Sequence, residues 1–159
     1  MNLHYEIANP THLPHLLAMQ KDFYAIDNYP FSAEKAEPVL RHFLATPALG
    51  TIWMIKTEES PTIMGYVALT FCYSFEFGGR IAFLDELFLK TEYRHQGLGS
   101  QVLAYVLEQA QQLGLRVLHL EAERHNQAGK ALYHKFGFRD HDRHLMTKIL
   151  HIDLPEKDK

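Results

Sequence analysis

Cysteine and tryptophan are nearly missing from this chain, with one of each in 159 residues. A lone Cys72 cannot close an internal disulfide, which suits a reducing compartment. Set among aromatics, it reads as a small buried apolar residue and not as a nucleophile. No apolar stretch approaches the ~20 residues that cross a bilayer, and residues 1–5 show no basic segment leading into an apolar one. A cytoplasmic location is the resulting expectation. Charge of one sign is not in excess either: 16 Lys and Arg against 19 Asp and Glu give a net charge of −3. That removes the general electrostatic case for nucleic acid or an anionic membrane. The 11 histidines lack the dense Cys/His spacing of a zinc site. His119, Glu121, Glu123 and His125 read instead as the outer face of a strand whose inner face is Leu118, Leu120 and Ala122, so no metal is expected. There is no internal repeat, linker or low-complexity block. Two phosphate-binding signatures are missing as well: the glycine-rich loop ending in Lys-Ser/Thr, and the three-glycine dinucleotide turn, since position 94 is Arg and no glycine stands at 102.

What remains is an ordinary globular composition, 47% apolar and 22% charged, long enough to bury one core. Alternation of Leu3, Tyr5 and Ile7 predicts a first strand. Thr11 is the expected cap of a helix with Pro14 in its first turn. Residues 22–31 follow as an aromatic, acidic loop, and Ser32 opens a second helix, with Pro38 close to its start. Strands are expected at 51–56, 63–73 and 81–89, the last antiparallel to the one before it. A helix at about 100–113 ends at Gly114, and a fifth strand at 117–123 must run parallel to the fourth. Asn126 caps a last helix to about residue 136. Two closing strands are expected at 138–139 and 145–152, with a frayed tail at 155–159. The expectation is one mixed-sheet α/β domain over residues 1–154, with about seven strands and about four helices.

The stretch that carries chemistry is Arg94-His95-Gln96-Gly97-Leu98-Gly99-Ser100, between the apolar strand and the amphipathic helix. A turn of this kind presents backbone N–H groups at a helix N-terminus, where an anion is favoured. Gly97 and Gly99 carry no Cβ to hold a phosphate away, and Arg94 adds a charged fork of donors. The expectation is a pyrophosphate cradle.

Arg-x-x-Gly-x-Gly after Asp85-Glu86-Leu87-Phe88-Leu89 resembles the GNAT superfamily of acetyl-CoA-dependent N-acetyltransferases. So do Asn126-Gln127-Ala128-Gly129 and the later Leu132-Tyr133-His134-Lys135-Phe136-Gly137-Phe138. The match runs over residues 63–138, about half of the chain. It departs at position 91, Thr where the family often has Pro, and at position 95, His where it often has Gly. The resemblance implies that the fourth and fifth strands splay around acetyl-CoA. The backbone of Leu87, Phe88 and Leu89 would hold the pantetheine arm, and N–H groups from His95 to Ser100, including Gln96, Gly97, Leu98 and Gly99, the pyrophosphate. Asn126 would reach the arm from the other side, or serve only as a helix cap. Tyr133 would protonate the departing thiolate, its alternative being a core aromatic. Asp85 or Glu86 would take the amine proton, in most cases through water.

Residues 65–89 are also similar to the spermidine/spermine acetyltransferases, which points to a small amine or polyamine. A lysine side chain or protein N-terminus stays open. Tyr24, Asp27, Tyr29, Tyr73 and Glu76 are residue types suited to a cationic amine. Two rivals are a non-catalytic acyl-CoA-binding module and a dinucleotide enzyme, the second lacking its third glycine. The resemblance allows a homodimer, but no stretch of the sequence specifies its interface.

Overall fold

The computed structural model describes residues 2–150. A short turn of 3-10 helix, Pro10–His12, leads into α1 (Leu13–Ile26), and α2 (Ala33–Ala45) follows. These two helices connect β1 (Leu3–Ile7) to β2 (Gly50–Thr57). β3 (Ser60–Ser74) and β4 (Gly79–Leu89) form a long hairpin. α3 (Leu98–Gln112) then crosses to β5 (Leu118–Leu120), and α4 (Gln127–Lys135) comes last. The sheet order is 1-2-3-4-5, antiparallel through β4, with β5 parallel to β4.

The two faces of the sheet bury different cores. Leu16, Met19 and Leu40 from α1 and α2 pack on Met54, Tyr66 and Phe88. On the other face, Leu98, Val102, Leu103 and Val106 of α3 recur at helical spacing and pack on Ile55, Val67, Leu69 and Leu84. Among the described residues no helix is long and apolar enough to cross a membrane.

Several local expectations are corrected. Asn9, not Thr11, makes the cap ahead of α1: its Oδ1 accepts the Thr11 N–H at 2.9 Å. Residues 22–26 belong to α1, where Phe23 packs against Phe88 at a ring separation of 6.0 Å, and do not form a loop. Ser32 does cap α2, accepting the Lys35 N–H at 3.4 Å. Cys72 is exposed, because it lies past the last β3 residue of its face, Ala68, that joins the core under α1 and α2. Among the described residues the sheet has five strands rather than about seven. Residues 138–150 form no strand, and Leu145, Met146 and Leu150 are exposed. An apolar stretch makes a strand only where a partner ladder takes up the backbone groups. Residues 151–152 and the tail at 155–159 lie outside the described residues.

His12 is buried, and its Nδ1 accepts the Asn9 N–H at 3.1 Å, so the neutral ring is the one that fits. Burial pushes its pKa below the usual histidine value, against the opposing pull of Glu6. The unfolded chain therefore takes the proton first. This contribution to stability is complete above about pH 6.5 and is lost as the pH falls below it. His12→Asn should reduce the drop in thermal midpoint between about pH 7 and about pH 5; an unchanged drop would contradict the assignment.

Candidate functional site

One irregularity in β4 sets the geometry. Ala68 faces Glu86 while the next β3 residue, Leu69, faces Leu84, so Asp85 is an extra residue in the ladder. Side chains alternate along a strand, and one inserted residue reverses every face beyond it. Leu84 therefore joins the core under α3, whereas two residues later Glu86 turns to the side of α1 and α2. Asp85 is exposed on the bulge, and Glu86 is buried.

Three neutral donors hold the Glu86 carboxylate. Tyr24 donates to Oε1 at 2.9 Å, while Gln20 and Tyr66 donate to Oε2 at 3.0 and 2.7 Å. Burial pushes the Tyr24 and Tyr66 hydroxyls above their ordinary values, and the Glu86 charge adds to it. Both phenols therefore remain donors. Gln20 and Tyr66 had no place in the sequence reading. Gln20 stands one turn before Tyr24 on the same helix face, and Tyr66 lies two ladder positions from the residue opposite Glu86, but neither signal singles them out.

Beside this carboxylate the sheet opens. β4–β5 pairing ends at Leu84 and Leu120. Among the described residues, no strand pairs with 85–89 on that side. The turn that follows is fixed by Arg94, whose Nε donates to the Leu89 carbonyl at 2.7 Å, with its guanidinium 5.3 Å from the Phe88 ring centre. Arg94 thus fastens the turn to the strand end and does not present its whole fork to an anion. Gln96 donates to the Glu92 carbonyl. His95 adopts φ 60°, a left-handed conformation that histidine tolerates better than most residues.

The two glycines differ. Gly97 has φ 77°, and a Cβ built there meets nothing within 4 Å, so open space lies over the start of α3. No side chain caps this helix. The Ser100 N–H bonds to the Gly97 carbonyl at 3.1 Å, so it is engaged within the turn. A Cβ on Gly99 would lie 3.3 Å from Leu132 Cδ2. Gly99 makes room for α4, not for a phosphate, and Leu98 points into the core.

Asn126 caps α4 by accepting the Gly129 N–H at 2.9 Å. Tyr133, two turns on, is half-buried on the α3 side of the sheet and sits edge-on to Phe138 at 5.9 Å. Burial pushes its hydroxyl up as well, which keeps the proton on it.

The residues proposed around an amine fall into two groups. Tyr24 is on Glu86; Asp27 is 2.8 Å from His125 Nε2, and Tyr29 donates to Glu123. That last contact pushes the Tyr29 hydroxyl up to about 12. Tyr73 and Glu76 lie elsewhere. Tyr73 is exposed opposite Arg80, near the hairpin tip and five residues, about 17 Å, along β3 from Ala68. Glu76 is held by both terminal nitrogens of Arg143, at 2.9 and 2.7 Å. The structure does not bring these two to the site.

Residues 16–138 match the model of the acetyltransferase (GNAT) family. The chain belongs to this family. It is 34% identical to the thialysine N-epsilon-acetyltransferase of Bos taurus over 82 residues, 52% of this chain and 48% of that one. The chain spans about half the length of the curated relatives it matches. An integron cassette protein from the Cole Harbour salt marsh metagenome is 28% identical with a TM-score of 0.80, over 92% of this chain and 90% of that one. A predicted acetyltransferase from Clostridium acetobutylicum, solved with acetyl-CoA, has a TM-score of 0.76 at 18% identity, over 92% and 96% of the two chains, and shares the GNAT fold.

Tyr66→Phe removes a buried donor to a charged group and should lower stability by about 1.5–3 kcal/mol. Chemical denaturation measures this, and a change below about 0.5 kcal/mol would mean that Tyr66 does not hold Glu86.

Proposed function

We propose that the chain is an acetyl-CoA-dependent N-acetyltransferase that passes the acetyl group directly to a primary amine of a small molecule. One observation carries this reading: the β4–β5 ladder ends at Leu84 and Leu120, one position before the bulge that turns the Glu86 carboxylate to the α1 face, while the Tyr133 phenol packs on the α3 face. Direct transfer needs a proton taken from the amine and one given to the leaving thiolate. In this reading Glu86 and Tyr133 serve the gap from opposite faces of the sheet.

The residues fit acetyl-CoA. The uncapped start of α3 and the open space over Gly97 suit a pyrophosphate. The edge at Leu87, Phe88 and Leu89 has no strand partner on that side among the described residues and, apart from the Leu89 carbonyl taken by Arg94, offers backbone groups to an extended arm. Asn126 keeps its amide NH2 available beside α4 while its Oδ1 caps the helix. When bound, acetyl-CoA supplies the acetyl thioester and the leaving thiolate.

Glu86 orients the amine. A carboxylate has about four acceptor positions, and with three taken Glu86 has room for one ammonium N–H. Asp85, exposed on the bulge, takes the proton through solvent. Tyr133, kept protonated by burial, donates to the thiolate. The Bos taurus relative, a thialysine N-epsilon-acetyltransferase, supports an amine on a slender chain as acceptor.

The test is thiol release from acetyl-CoA with spermidine, putrescine, lysine, aromatic amines, aminoglycosides and short peptides. Amine-dependent release is expected. Tight CoA binding with no release from any amine would favour an acyl-CoA-binding module instead. Tyr133→Phe should lower kcat by about 100-fold with CoA affinity preserved; unchanged kcat would remove the acid role. Asp85→Asn should abolish the acidic limb of the pH–rate profile, whereas Glu86→Gln should mainly raise KM for the amine. The reverse pattern would exchange the two roles.

A further inference from the structure

α1 does more than cover the sheet. Gln20, Tyr24 and Asp27 are spaced by four and three residues and share one helix face. The first two hold Glu86 on β4. Asp27 and the following Tyr29 reach His125 and Glu123, both in the segment 121–126 after β5. One helix with its terminal turn is thus tied to both banks of the gap.

The turn that aims these residues is itself fixed. Asn28 has φ 56°; its N–H bonds to the Ala25 carbonyl at 3.3 Å, and the Tyr29 N–H bonds to the Tyr24 carbonyl at 2.9 Å. That paired closure ends a helix through a left-handed residue, and asparagine is the common substitute for glycine there. Asp27 is 17% exposed at its side chain and His125 is 71% exposed. The anchor is therefore part of α1, while the partner can move away without disturbing the helix.

The β4–β5 ladder has already ended at Leu84 and Leu120, so it does not set the distance between 85–89 and 121–125. We propose that α1 is a strut across the gap, and that the Asp27–His125 and Tyr29–Glu123 contacts form a strap limiting the size of the amine that reaches Glu86. The inference rests on the transferase reading. Glu86 lies on the face that α1 covers, so an acceptor must pass beside the strap. A slender primary amine passes; a lysine flanked by peptide backbone is obstructed. Asp27, Tyr29, Glu123 and His125 are positioning residues in this account.

The test compares wild type with the double variant Asp27→Asn, Tyr29→Phe. Steady-state kinetics use free lysine and a ten-residue peptide with a central lysine, and hydrogen exchange follows the amides of 121–125. The double variant should raise the peptide-to-lysine ratio of kcat/KM at least about tenfold and speed exchange at 121–125, with exchange in α1 unchanged. Asp27→Glu, which keeps the charge, should stay near the wild-type ratio. Turnover with an unchanged ratio overturns the size limit, and unchanged exchange overturns the strap. A wild type that releases thiol with none of the amines tested above rejects the transferase reading itself, and the size limit with it; that result differs from turnover with an unchanged ratio.

Discussion

One extra residue in β4 governs the rest of the site. With Asp85 inserted, Glu86 faces α1 and meets three donors. Were Asp85 to take an ordinary ladder place opposite Ala68 instead of bulging, Glu86 would fall opposite Val67 and face Val102, Leu103 and Val106 of α3, all apolar. A carboxylate placed there without partners costs several kcal/mol or gives up its charge. A bulge also bends and twists its strand, and β4 parts from β5 directly at this point, after Leu84. The acidic pair, the gap and the change of face all follow from that single insertion.

Candidate groups lie on both faces of the sheet. On the α1 side stand Glu86 and the tyrosines that hold it; on the α3 side stands Tyr133, carried by a helix that Gly99 allows to approach. Arg94 ties the intervening turn to the strand end. The geometry is thus maintained by short-range contacts at each edge of the gap, together with the bridge made by α1. Glu86 is buried and Tyr133 packs against the core, and fixed groups of this kind suit a reaction that relies on orientation.

Much of the fold was legible because its signals are local. The strand before the glycine-bearing turn, the caps at Ser32 and Asn126, and the parallel β5 each depend on a few neighbouring residues. The end of α1 was obscured by its own chemistry, since Tyr24, Asp27 and Asn28 look like loop residues until their partners are known. The expected strands at 138–139 and 145–152 had apolar residues, but pairing is non-local and among the described residues no ladder forms there. Of the candidate site residues, Asp85, Glu86 and Tyr133 were named from the motif and its flanks. Gln20 and Tyr66 were not, because they act on a residue 66 and 20 positions away. Tyr73 and Glu76 show the converse: their residue types suit an amine pocket, yet the hairpin carries them to its far end. The separate duties of Gly97 and Gly99 likewise emerge only from what a Cβ would meet at each.

The central claim is that the edge of β4 and the start of α3 form one binding surface. Backbone hydrogen exchange with and without CoA tests it most directly. Concurrent protection of the Leu87–Leu89 amides and of Leu98 and Gly99 is the result the account predicts. CoA binding that protects neither group, or only one of them, would contradict it.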